Sequence, residues 1–371
     1  MRVLVVNPGS SSLKLRLLEP DDQVGAEDEL PASSGDVERS ALEAFLERAP
    51  EPDAVGVRVV HGGPDFRTSV RVDAGVLERL DATAELAPLH NPPALLALRV
   101  LRQRRPRLPL VACFDTAFHA TLPEAAAIYA VPWRWTEEWG VRRYGFHGLS
   151  HGWASRRAAE LLGRPLRSLR MVTCHLGAGA SLCAVNGGLS VDTTMGFTPM
   201  EGLVMATRSG SLDPGALLWV QHRHGLSAAE AERALDRESG LLGVSGLSAD
   251  MREVLRAAEG GEARSRLAVD VYLHRLRSCI AGMTAALGGL DALVFTGGVG
   301  EHSSQVRAQA CAGLEFLGVR LAEDLNSSAS PDAVVSPAGS QVATLVVAAR
   351  EDLEIAREVR GVLTAAPARR Q

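Results

Sequence analysis

Lys14 is the single lysine of this chain, beside 38 arginines. It closes Asn7-Pro8-Gly9-Ser10-Ser11-Ser12-Leu13-Lys14, a glycine- and hydroxyl-rich stretch directly after the apolar run Val3–Val6. Backbone N–H groups in such a turn can cradle phosphate oxygens, and a compact ammonium is not interchangeable with a guanidinium there. The bland alternative is a solvated edge residue, but chance would place a lone lysine in such a stretch only about 3% of the time, so the phosphate reading starts ahead. Two further glycine clusters favour the phosphate reading: His175-Leu176-Gly177-Ala178-Gly179-Ala180-Ser181 and Thr296-Gly297-Gly298-Val299-Gly300-Glu301, each after an apolar run. Facing turns of this kind can wrap a polyphosphate. No GxxxxGK[ST] occurs, so this is not a Walker loop. Asp115 ends the apolar run Leu110–Phe114 and could cap a helix from Thr116 onward.

The elements that must position these loops follow from periodicity. Strands are expected at Arg2–Val6, Leu13–Leu18, Ala54–Val60, Leu110–Phe114, Met171–Cys174, Leu182–Val185 and Ala292–Phe295. Helices are expected at Ala74–Ala87, Pro93–Gln103, Ala228–Ser239, Ala249–Glu259, Glu262–Leu287 and Leu353–Leu363. Strand, Gly/Ser turn, strand occurs at residues 2–18 and again at 171–185, which suggests an internal duplication. The architecture expected is two α/β domains with a cleft between them.

Composition narrows the class. The 371 residues are 46% apolar and 22% charged, with net charge −5. This describes a globular chain without broad attraction to nucleic acid or anionic membrane. The basic run Arg102–Arg107 is isolated and reads as a solvated helix end. Five widely spaced cysteines suggest neither a disulfide framework nor a metal site. Neither a signal-peptide pattern nor a membrane-spanning run is present, so a cytoplasmic location is expected.

In order along the chain stand VLVVNPGSSSLK, GVRVVHGG, APLHNPP, FDTAFHATLP, RRYGFHGLSH, CHLGAGAS, DTTMGFTPMEGL, TRSGSLDPG, VSGLSADMR and FTGGVGEHS. By these motifs the chain resembles the acetate/propionate kinase family, over essentially its whole length. The resemblance implies a duplicated two-domain sugar kinase/chaperone/actin-like (ribonuclease H-like) α/β fold with an interdomain cleft. The expected domains are residues 1–118 and 119–351, the second carrying nucleotide binding and dimerisation, with a helix at 352–371 packing back on the first. The implied reaction is reversible phosphoryl transfer from ATP to acetate, giving ADP and acetyl phosphate. Magnesium is the implied metal, with manganese as an alternative, and the implied assembly is a homodimer.

The resemblance also implies roles. Arg58, Asp115, His147 and Arg208 would be catalytic, with Arg58 also holding the carboxylate. Val60, Leu89, Phe146 and Pro199 would line the acyl pocket, and none of them has shrunk to Gly or Ala. Ser10, Ser12, Lys14 and His175, Leu176, Gly177, Ala178 and Gly179 would form two phosphate loops. Asp250, Met251 and Arg252, with Gly298, Val299, Gly300, Glu301 and His302, would frame the nucleotide. Asn7, Asp115 and Glu351 would stand at the metal. In-line transfer needs positive charge around the equatorial oxygens, and a carboxylate acceptor is already ionised, so no general base is required.

The chain departs from the family pattern at Ala178, where Asn is usual, and at Val57, Ala206, Ser211, His302 and Ala349-Arg350. Arg350 is expected to place a cation beside the metal carboxylate. These changes bear on nucleotide affinity more than on reaction class. The alternatives are a propionate or other short-chain carboxylate kinase, a pyrophosphate-using relative, and a nucleotide-binding module without turnover. Gly298 and Gly300 argue against pyrophosphate, since an open glycine loop leaves room for adenine.

Overall fold

A computed structural model describes residues 1–9, 12–31, 35–88 and 90–365. Ser10 and Leu89 lie outside the described residues. The chain divides into two compact units. Unit 1 takes Met1–Ala120, Phe146–Trp153 and the chain from Arg350 onward; unit 2 takes Thr121–Gly145 and Ala154–Ala349. The stretch Phe146–Trp153, which includes His147, therefore clusters with unit 1 although it lies beyond residue 118.

Unit 1 is built on β1 (Val3–Pro8), β2 (Ser12–Leu18), β3 (Val24–Pro31), β4 (Ala54–Val59), β5 (Val70–Arg71) and β6 (Leu110–Phe114). Their order is β3-β2-β1-β4-β6-β5. The β1–β4 and β4–β6 pairs are parallel, and the others antiparallel. Unit 2 is built on β7 (Arg170–Leu176), β8 (Ala180–Asn186), β9 (Leu189–Thr193), β10 (Ala292–Thr296), β11 (Ala333–Val334) and β12 (Ala343–Val346), in the order β11-β12-β10-β7-β8-β9. Counted from β7, this is the strand order of unit 1, with the same parallel and antiparallel pairs. The duplication suggested by two Gly/Ser hairpins thus extends to all six strands.

Alternation along β1 explains how both faces of its sheet are covered. Leu4 and Val6 face a core that includes Leu95, Leu98 and Leu101 of the Asn91–Arg104 helix. Val3 and Val5 face Ile355, Ala356 and Val359 of the Glu351–Thr364 helix. Burial on both faces accounts for the continuous apolar runs of β6 and β10. Gly56 on β4 lets the Glu351–Thr364 helix approach: a Cβ there would lie 2.5 Å from Ile355 Cγ2. Ile355→Ala should cost about 2–5 kcal/mol, measured by denaturant unfolding. A loss below about 1 kcal/mol would contradict this docking.

The helices follow the periodicity with adjusted ends. The expected Ala74–Ala87 helix stops at Ala82 and tightens into a 3₁₀ turn at Thr83–Leu86. The helices Met251–Glu259 and Ala263–Leu287 begin one residue after their caps, Asp250 and Glu262, whose carboxylates accept the first backbone N–H groups. Among the described residues no helix is long and apolar enough to cross a membrane.

Candidate functional site

In unit 1 the ends of the parallel strands bring together four residues remote in sequence. Asn7 is in the last turn of β1, Arg58 is near the end of β4, Asp115 follows β6, and Glu351 opens the C-terminal helix. Arg58 is the hub. Its Nε and Nη2 donate to the two oxygens of Asp115 at 3.0 and 2.6 Å. Its Nη1 donates to Asn7 Oδ1 at 3.0 Å and lies 3.9 Å from Glu351 Oε2. Asn7 Nδ2 closes the circuit on Glu351 Oε2 at 2.9 Å. Burial alone would depress the Arg58 pKa, but the carboxylates of Asp115 and Glu351 outweigh it and hold the pKa raised. The group is therefore a permanent buried cation between two carboxylates, with Asp115 1% exposed.

Two carboxylates and an amide oxygen make a hard, all-oxygen donor set. Such hard oxygen donors fit magnesium, which takes few protein ligands. It is not a His/Cys/Asp/Glu cage, and none of three or more such residues occurs among the described residues.

Gly148 packs against the Asp115 backbone. The Gly148 N–H donates to the Asp115 carbonyl at 3.0 Å, and a Cβ on Gly148 would lie 2.1 Å from that oxygen. His147 sits at φ +56°, a left-handed conformation uncommon without glycine. Val60 and Phe146 are buried, and the Phe146 ring meets His61 edge-on. His119 is buried with Nε2 3.0 Å from the Phe146 carbonyl, a structural role.

At the first expected phosphate loop Gly9 N–H donates to Ser12 O, and Asn7 pairs with Lys14 across β1 and β2. Lys14, half exposed, lies 3.5 Å from Glu29 Oε1, which also accepts from Ser12 Oγ at 2.8 Å. Both donors thus already have a carboxylate on β3. Arg350 has a carboxylate partner besides the neighbouring Glu351. Its guanidinium pairs with Asp352 at 2.9–3.2 Å, and Arg16 reaches the same carboxylate. The cation one residue before Glu351 is thereby neutralised by the carboxylate one residue after it.

In unit 2 the corresponding hairpin turn lies between β7 and β8. Gly177 N–H donates to Gly179 O, and the Ala178 carbonyl accepts from Ala206 N–H at 3.1 Å. His175 pairs with Thr296, which brings the second glycine cluster beside this turn. Gly297, at φ +78°, lies so close that a Cβ would fall 2.8 Å from Leu176 O. The helix Gly297–His302 follows. Glu301 Oε1 accepts from Ala349 N–H at 3.0 Å, while His302 is exposed.

Arg208 is aimed by Asp236, which accepts from Nε at 3.0 Å, and by the Pro199 carbonyl, which accepts from Nη1 at 3.2 Å. Ser211, where the family has Asp, accepts from Gly202 N–H through its hydroxyl at 3.2 Å. Asp250 caps the Met251–Glu259 helix and forms a two-bond pair with Arg252; the bonds from Arg252 hold the Asp250 pKa down at about 2. Met251 is buried and Arg252 is exposed.

Two residues not anticipated from sequence organise unit 2. Arg307, 2% exposed, donates to Gly300 O, Glu301 O, Asn326 O and Asn326 Oδ1 at 2.8–2.9 Å. It is a buried cation with neutral partners, its pKa depressed by burial, and it fixes the glycine turn by its carbonyls. Asp236 is the other, through Arg208. Nothing in SQVRAQAC or LDRESG marks either residue, because both read as ordinary polar positions on helices.

The model of the acetokinase family matches residues 37–357. The acetate kinase of Synechococcus sp. (strain JA-2-3B'a(2-13)) is 52% identical over 320 residues, 86% of this chain and 79% of that protein. The propionate kinase of Citrobacter rodentium (strain ICC168) is 43% identical over 394 residues, 98% of this chain and 97% of that protein. The crystal structure of Porphyromonas gingivalis acetate kinase superposes with a TM-score of 0.90 at 36% identity, covering 98% of this chain and 100% of that one.

Proposed function

The chain belongs to the acetokinase family, and on that premise we propose that it transfers the γ-phosphoryl group of ATP to acetate. The observation that carries the reading is the Arg58 cation locked between Asn7, Asp115 and Glu351 at the strand ends of unit 1.

Unit 1 supplies the acceptor side. Arg58 orients the acetate carboxylate while Val60 and Phe146 receive its methyl group, a role we extend to Leu89 and Pro199. A carboxylate oxygen attacks the γ-phosphorus, the bond to the β-bridging oxygen breaks, and ADP leaves. Acetate is ionised at neutral pH, so Asp115 positions rather than abstracts a proton. Asn7, Asp115 and Glu351 would hold magnesium, which when bound neutralises phosphate charge.

Unit 2 supplies the donor side. The Gly177–Gly179 turn binds phosphate oxygens, Gly298–His302 and Asp250–Arg252 frame the nucleoside, and Arg208 stabilises the transferring group, the role we also give His147. Ser10, Ser12 and Lys14 assist at the first turn; for Ser12 and Lys14 this requires loosening their bonds to Glu29. A hydroxamate assay with ATP, magnesium and acetate tests the reading. Turnover no higher than that of the Arg208→Ala variant would refute it.

Propionate is the second reading, favoured by the likeness to a propionate kinase. One methylene in an apolar pocket is worth about 1–3 kcal/mol, so ranking kcat/KM over acids of increasing length separates the two. We also propose a cytoplasmic homodimer. The helix Pro214–His224 buries none of its residues within the chain and exposes Leu218 and Trp219. Sedimentation should give twice the chain mass, and Trp219→Glu should shift it towards monomer.

Gly148→Ala should lower kcat/KM about 10²-fold, because the added methyl displaces the Asp115 backbone and misplacement of about 1 Å is that costly. Steady-state kinetics check it, and wild-type kcat/KM would show that Asp115 tolerates the shift.

A further inference from the structure

The basic run at the end of the Asn91–Arg104 helix does more than cap that helix. It lines one side of a groove of about 530 Å³, whose other side is the edge strand β5. Arg71, Arg102, Arg105 and Arg107 all face this groove, and Asp73 is its only acidic residue. Asp73 Oδ1 is already committed to the Val76 N–H at 2.8 Å.

The contrast with neighbouring arginines is informative. Arg99 pairs with Asp81 and Arg104 with Glu43. Among the described residues Arg71, Arg102 and Arg107 form no ion pair, and Arg105 donates to the Leu46 carbonyl. Four like charges around one concavity repel each other unless an anion joins them. Pro106 and Pro109 fix the backbone of the rim, which reduces the ordering cost of binding. The volume lies in the range of small-molecule sites, and the net charge of −5 disfavours a polynucleotide. Guanidinium forks match phosphate oxygens bidentately.

The groove opens at Leu110, the start of β6, whereas Asp115 follows its end. Five strand residues separate them by roughly 17 Å. We propose that this groove is a second anion site, taking a compact metabolite with at least two phosphate groups, separate from the transfer site.

Calorimetric titration of the full chain with tripolyphosphate, at saturating ADP so that the nucleotide site is filled, tests it. The wild type should show one saturable event, weakened by added salt. Arg102→Glu with Arg107→Glu should weaken it by about tenfold per residue and leave hydroxamate-assay activity unchanged. Arg102→Gln with Arg107→Gln gives the same reading should the reversal perturb folding. Asp115→Asn should retain the event. The proposal is overturned by absence of saturable binding, by wild-type binding in the arginine variants, or by parallel loss of binding and activity. Equal affinity for citrate would overturn the phosphate assignment.

Discussion

Arg58→Ala should both destabilise unit 1 by about 3–5 kcal/mol and reduce transfer by at least about 10³-fold. The stability effect arises because the buried Asp115 and the partly buried Glu351 would remain without their shared cation. The rate effect arises because the same guanidinium is the proposed carboxylate holder. The two effects separate in Arg58→Lys. That variant keeps a charge but cannot make two parallel bonds to Asp115 together with a third to Asn7. It should regain part of the stability and little of the rate. Denaturant unfolding and steady-state kinetics on both variants check this, and a stable, inactive Arg58→Ala protein would contradict the hub role.

Arg208→Ala should lower kcat by about 10³-fold or more with little loss of stability. Its partner Asp236 is partly solvated, so breaking that pair leaves no strongly buried charge. Asp236→Ala should have a smaller effect of the same kind, about tenfold, because Arg208 keeps its bond to the Pro199 carbonyl. If Asp236→Ala matched Arg208→Ala in rate, the carboxylate itself would be taking part.

Much of this arrangement was legible before any coordinates. The strand–turn–strand pattern at residues 2–18 and 171–185 is local, and its apolar alternation is strong. It therefore announced both hairpins and, through them, the duplication. The match of all six strands in each sheet could not be read that way. β3 is VGAEDELP, a polar strand whose consecutive Glu27, Asp28 and Glu29 break any apolar alternation, and β5, β11 and β12 are too short for periodicity to register. The motifs likewise placed Arg58 and Asp115, but not their bidentate contact, which depends on the parallel register of β4 against β6.

Lys14 shows the limit from the other side. Its uniqueness pointed to the phosphate loop, yet its ammonium rests beside Glu29 on a strand that the pattern did not reveal.

In the proposed reaction a carboxylate oxygen of acetate forms the new bond to the phosphorus that leaves ATP. Acetate labelled with oxygen-18 in both carboxyl positions, incubated with ATP, magnesium and the wild-type protein, tests it by phosphorus NMR. The expected product is acetyl phosphate whose bridging oxygen carries the label and shifts the phosphorus resonance upfield. Release of unlabelled inorganic phosphate without labelled acetyl phosphate would contradict it.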